Sequence, residues 1–134
     1  MSITNAVASV AVNDLSLAVA WYEDLFGRPA DSAPSSELAE WRFDMGGRLQ
    51  IYQLPERAGS GSFTLAVSSV REQAAHLAKF NIDTSQSGSS ANAQTLMITD
   101  PDGNHIALPR RLTPAWPSRY PGCPIRYRSV TGSG

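Results

Sequence analysis

The chain states one pattern twice. Ala8-Ser9-Val10-Ala11-Val12-Asn13-Asp14-Leu15 alternates apolar and small residues, passes a polar pair and runs into an amphipathic segment. Phe63-Thr64-Leu65-Ala66-Val67-Ser68-Ser69-Val70 does the same, 55 positions later. A strand leading into a helix is one β-α unit, and two copies in a short chain constrain it to a pseudo-symmetric fold. With 134 residues there is room for one domain with one shared core, not for two independent ones.

Charge and cysteine content exclude several classes of function. A formal net charge of −1 offers no general attraction to nucleic acid or to an anionic membrane. The charge is unevenly placed: no acid follows Asp102, while Arg110, Arg111, Arg119, Arg126 and Arg128 supply five of the eleven basic side chains. The single cysteine, Cys123, allows no internal disulfide and fits a reducing compartment. No basic stretch precedes a long apolar run at the start, and no segment reaches membrane-spanning length, so a cytoplasmic protein is expected.

Residues 6–12 read as a half-buried strand, with Ala8, Val10 and Val12 on one face and Val7, Ser9 and Ala11 on the other. Asn13 or Asp14 supplies an N-cap for a helix over 15–26, whose stripe is Leu15, Val19, Tyr22 and Phe26. Gly27 and Pro29 end that helix, and 31–36 reads as a loop. Strands at 41–44 and 48–54 flank Met45-Gly46-Gly47, and 58–61 links the two repeats. The second copy gives a strand at 62–67 and a helix at 70–80 with Val70, Ala74, Leu77 and Ala78 buried. An uncharged Ser/Gly-rich loop at 86–92 precedes a strand at 93–99, the turn Asp100-Pro101-Asp102-Gly103 and a last strand at 104–108. Five prolines from Pro109 onward exclude helix and interior strand in the tail, where Trp116, Tyr120 and Tyr127 call for a packing partner.

Three of these motifs occur in a telling order: strand-Asn13-Asp14-Leu15, the helix exit Trp21-Tyr22-x-x-Leu25-Phe26-Gly27, and Asp100-Pro101-Asp102-Gly103-Asn104 before the final strand. Together they resemble the vicinal oxygen chelate superfamily of glyoxalase I, bleomycin-resistance proteins, fosfomycin-resistance enzymes and extradiol dioxygenases. The resemblance spans about residues 6–108. It implies an α+β domain of paired βαβββ modules curled around one cleft, with module one at about 6–55 and module two at about 62–108. A domain over 1–112 followed by a tail over 113–134 is therefore expected, and the resemblance also implies a homodimer. In this superfamily a divalent metal is held by His, Glu or Gln from four strands. The corresponding positions here are Val7, Gln50, Ser62 and Ala107. Val7 and Ala107 carry no donor atom, and Ser62 and Gln50 carry only neutral ones, so no metal cofactor is expected.

Alternation predicts a cleft face of Val7, Ser9, Ala11, Gln50, Tyr52, Ser62, Thr64, His105 and Ala107. Such small, neutral or mildly polar residues suit an uncharged, partly aromatic ligand, with Ser9, Gln50, Tyr52, Ser62, Thr64 and His105 as its polar contacts. Glu40 and Asp44 are placed on one face of their strand and Arg42 on the other, as solvated charges. His76 is placed on solvent, four residues after Glu72. The function expected is metal-free binding of a small organic molecule, with no nucleic acid or membrane as partner. The alternative is a metal-independent isomerase or cyclase using His105, Tyr52 or Glu40 as proton carriers. A metal-dependent lyase or dioxygenase comes third, since it needs ligands from other positions.

Overall fold

The structure, a computed structural model, describes residues 2–84 and 95–110. Its first strand, β1 (Val7–Val12), buries Val10 and Val12 on one side and leaves Val7 and Ser9 open on the other. The Asp14 carboxylate then accepts from the Leu17 N–H and starts α1 (Leu15–Phe26). At the other end Gly27, with φ of 72°, closes the helix by donating its N–H to the Glu23 carbonyl. Three strands follow: β2 (Ser32–Ser35), β3 (Leu38–Arg42) and β4 (Arg48–Gln53). They form a sheet in the order β1-β4-β3-β2, parallel between β1 and β4 and antiparallel elsewhere.

Among the described residues the second half repeats this plan without a counterpart of β2. β5 (Ser62–Thr64) leads to α2 (Val70–Lys79), capped by Ser69, then to β6 (Thr95–Thr99) and β7 (His105–Pro109). Its sheet has the order β5-β7-β6, with β5 parallel to β7 as β1 is to β4. Even the registers correspond. Val7 stands opposite Arg48 and Ser9 opposite Gln50, while Ser62 stands opposite His105 and Thr64 opposite Ala107. The α+β architecture of paired modules expected from the repeat is the one observed.

Each sheet turns one face inward. Tyr22, Trp41, Leu49 and Ile51 fill the first half of a continuous core, and Leu77, Ile98, Ile106 and Leu108 the second. Burying side chains of this size contributes about 1.5–3 kcal/mol apiece. A polar joint locks the halves together. The Tyr22 hydroxyl donates to Asp100 Oδ2 at 2.7 Å, and the Tyr22 ring lies 6.4 Å from that of Phe63. Burial, reinforced by the Asp100 charge, pushes the Tyr22 phenol well above its ordinary pKa. The fully buried Asn104 amide donates to the Ala11 carbonyl (2.9 Å) and to Asp100 Oδ2 (2.8 Å), and accepts from the Gly61 N–H (2.7 Å). The Asp-Pro-Asp-Gly-Asn turn is thus the fastener between modules, not a site of chemistry.

Several local expectations need correction. Residues 31–36 are not a loop throughout, because β2 pairs there with β3 through Ser32–Glu40 and Ser35–Leu38. The buried stripe of α1 is Leu15, Ala18, Tyr22 and Leu25, rotated by one residue from that expected at two positions. Ala78 of α2 is exposed. His76 does not simply face water: its Nε2 lies 2.6 Å from the Asp24 carbonyl in the last turn of α1, and its ring packs on Phe80. The segment 86–92, the first two residues of the 93–99 strand and the tail with Cys123, Trp116, Tyr120 and Tyr127 lie outside the described residues.

Candidate functional site: the open sheet faces

With one face of each sheet in the core, the other is left open. On the first sheet it is built in three rows across β1, β4 and β3: Val7–Arg48–Arg42, Ser9–Gln50–Glu40 and Ala11–Tyr52–Leu38. On the second sheet two rows cross β5, β7 and β6: Ser62–His105–Thr99 and Thr64–Ala107–Met97. The expected cleft set therefore shares these faces, except that Ala11, at 5% exposure, is buried rather than open. The structure brings Val7, Ser9, Gln50 and Tyr52 together on one sheet and Ser62, Thr64, His105 and Ala107 on the other.

The expected set was incomplete. Glu40 and Arg42 are two apart on β3 and so share a face, and Arg48 joins them from β4. Arg42 is not on the opposite side. Parity alone carried this signal in the sequence. Glu40 is only 6% exposed, accepting from Gln50 Nε2 at 2.9 Å and from Arg42 Nε at 2.9 Å. Arg48 Nη1 lies 3.7 Å from the same carboxylate oxygen that Arg42 holds. The Gln50 hydrogen bond, then the Arg42 bond and the two guanidinium charges, hold the Glu40 carboxyl below the usual carboxylate range. Glu40 is thus an anchored anion, not a solvated one, and is poorly suited to carry protons near neutral pH. Asp44 lies beyond β3, in the turn, and takes no part in this cluster.

His105 is exposed, and among the described residues its ring has no hydrogen-bonding or charged partner. Nothing there orients the ring as a base. Tyr52 is half-buried with its hydroxyl unpartnered among the described residues. The four positions that the resemblance implies as metal-ligand places stand in corresponding rows: Val7 lies one row from Gln50, and Ser62 one row from Ala107. Their side chains do not fit a metal. Two are hydrocarbon, Ser62 is a neutral hydroxyl, and the Gln50 amide is engaged with Glu40. No group of three His, Cys, Asp or Glu side chains poised to hold a metal occurs among the described residues.

A cavity of about 440 Å³ lies elsewhere, between the end of α1, the 43–47 turn and the segment after β5. Leu25, Phe26, Phe43, Leu65, Val67 and Leu108 wall it, and it touches the expected ligand set only at Thr64. Sequence reasoning missed it, since residues of both modules line it and no local pattern brings them together.

The structure is that of a paired-module α+β protein with one open face on each of its two sheets. The comparison with solved structures makes this specific. A glyoxalase/bleomycin resistance protein from Catenulispora acidiphila shares 30% identity over 82% of this chain and all of that one, with a TM-score of 0.74. The chain belongs to the glyoxalase/bleomycin resistance protein family of the vicinal oxygen chelate superfamily. The bleomycin resistance determinant encoded on transposon Tn5 shares the fold at 17% identity and a TM-score of 0.66, with 83% of this chain and all of that one covered. TnmS3, an antibiotic binding protein from Streptomyces sp. CB03234, does so at 21% identity and 0.66, covering 84% and 99%. No family model and no curated protein matches the sequence. No helix among the described residues is long and apolar enough to cross a membrane.

Proposed function

We propose that this protein binds a small, partly aromatic organic molecule on its open sheet faces without the help of a metal. One observation carries the proposal. The four residues that the resemblance sets in the ligand places, Val7, Gln50, Ser62 and Ala107, stand in corresponding rows of the two sheets and supply no charged donor. A face without such donors is suited to holding a ligand, with Ser9, Gln50, Tyr52, Ser62, Thr64 and His105 as polar contacts. A bleomycin resistance determinant and an antibiotic binding protein of the same fold support small-molecule binding, and a lactoylglutathione lyase shares that fold equally, so the preference for binding over turnover rests on the side chains of the face. A metal-independent isomerase or cyclase is less favoured, because His105 lacks an orienting partner among the described residues and Glu40 is held ionised. A homodimer is part of the proposal: β1 and β5 end their sheets, and Val7 is 45% exposed beside that edge.

The test is a two-dimensional ¹H–¹⁵N titration of chelator-treated protein with biphenyl-4-carboxamide, a flat neutral probe. Progressive shifts at the amides of Ser9, Gln50, Thr64 and His105, with the probe recovered chemically unchanged, are expected. Shifts confined to Leu25, Phe26 and Val67 would move the site to the apolar cavity, and a changed probe would restore the enzyme.

A further inference from the structure

The open face of the first sheet holds an electrostatic imbalance. Arg42 and Arg48 stand directly opposite each other on β3 and β4. Two like charges in that position repel, so such a pair requires counter-charge. Glu40 is the only acid in the three rows, and it serves both arginines with one oxygen. Arg42 takes the hydrogen bond at 2.9 Å. Arg48 is left at 3.7 Å, a charge contact beyond hydrogen-bonding distance, and its side chain is 44% exposed. Among the described residues no acceptor lies within hydrogen-bonding reach of the Arg48 guanidinium. The face therefore carries one uncompensated positive charge, on a planar fork of donors aimed away from the core. Along β4, Gln50 and then Tyr52 follow Arg48 on the same face, at two and four residues, which sets the Tyr52 Cα roughly 13 Å along the strand from that of Arg48.

From this we infer that the ligand is an organic anion: its carboxylate pairs with Arg48, and its flat apolar body extends over Gln50 towards Tyr52. A guanidinium recognises a planar carboxylate through two parallel N–H···O bonds, which supplies orientation as well as charge. The inference rests on the small-molecule binding proposed above and deepens it. It departs from the neutral ligand expected from sequence, because that expectation was drawn from a face without Glu40, Arg42 and Arg48.

Calorimetric titration with biphenyl-4-carboxylate and with its neutral carboxamide tests it. At low salt the carboxylate is expected to bind about tenfold tighter or more. Arg48→Gln, at a partly exposed position, is expected to cut that preference to about twofold or less. Glu40→Gln removes the competing acid and is expected to tighten carboxylate binding, a gain that a merely structural role for Glu40 does not produce. Equal affinities for the two probes overturn the anion site and leave small-molecule binding standing. Binding of neither overturns both. A preference that survives Arg48→Gln, or weaker carboxylate binding in Glu40→Gln, overturns the assignment to Arg48.

Discussion

Replacing Asn104 by aspartate changes almost nothing in shape and inverts one end of a side chain at the joint between modules. The Asn104 Nδ2 donates at once to the Ala11 carbonyl and to Asp100 Oδ2, at 2.9 and 2.8 Å. An oxygen there faces two acceptors, one of them a carboxylate, with no exposure to water at Asn104. Burial and the neighbouring charge each raise the pKa of the introduced carboxyl. Fully buried carboxyls rise by as much as 3–5 units, and at about 1.4 kcal/mol for each unit between the unfolded value near 3.9 and the ambient pH the cost reaches roughly 4 kcal/mol at pH 7. That is a large share of the total stability of a small domain. A raised folded-state value means that the fold holds the proton more tightly. The penalty is therefore small below the unfolded value of about 3.9 and grows as pH rises towards the folded value. The parent chain behaves oppositely. Glu40 and Asp31 are held below their ordinary values, Glu40 first by Gln50 and Asp31 first by the Arg42 N–H, so their stabilisation is present above the unfolded values and lost as pH falls. Urea unfolding followed by tryptophan fluorescence at pH 5, 6 and 7.5 is expected to show a gap between Asn104→Asp and the parent that narrows with acidification. Asn104→Ala orphans the Gly61 N–H and the Ala11 carbonyl, at about 1–3 kcal/mol each, and introduces no buried carboxyl, so its gap does not narrow on acidification as that of Asn104→Asp does. An Asn104→Asp variant as stable as the parent at pH 7.5, or a gap that ignores pH, would refute the role given to this joint.

Further expectations follow from the same packing. Gly59→Ala drives a Cβ into the Asp102 carbonyl oxygen at a φ of +90°, whereas Gly46→Ala, at +98°, meets open space. Chemical denaturation should show Gly59→Ala losing at least about 2 kcal/mol and Gly46→Ala about 1 kcal/mol. Trp41→Ala empties the largest fully buried position and deletes the ring N–H bond to the Arg28 carbonyl, an expected loss of about 3–5 kcal/mol in the same assay. Tyr22 has a raised pKa, so its stabilisation is complete below the unfolded value near 10 and lost above it. Ultraviolet titration should show one tyrosine ionising only as the chain unfolds, and Tyr22→Phe should abolish that late component.

What could be read from sequence was whatever a repeating pattern encodes. The β-α repeat located both first strands, Gly27 the end of α1, the Gly-Gly pair the turn between β3 and β4, and the Asp-Pro-Asp-Gly-Asn motif the turn before β7. β2 was illegible because Ser32–Ser35, with a proline among its four residues, has no strand propensity; it is an edge strand held by β3. The stripe of α1 was misplaced because Leu15, Ala18, Val19, Tyr22, Leu25 and Phe26 are apolar around much of the helix, and only the neighbouring sheet selects among them. The open faces were half legible. Alternation found Ser9, Gln50, Tyr52 and His105, but the Arg42–Arg48 opposition depends on the β3–β4 register, which the sequence does not state. The apolar cavity is lined by residues of both modules and left no local signature.

Whether the open faces work without a metal is decided by offering the protein metals. Protein purified without chelator should be assayed for bound Ni, Zn, Mn and Fe, and its thermal unfolding followed as each ion is added. The account predicts far less than one equivalent of any metal and no rise in the unfolding temperature. A site saturated at a thousandfold above its Kd adds about 4 kcal/mol, which in a domain this size raises the midpoint by roughly 10 °C or more. One retained equivalent, or a shift of that order, would contradict the assignment of Val7, Gln50, Ser62 and Ala107 as positions that hold no metal.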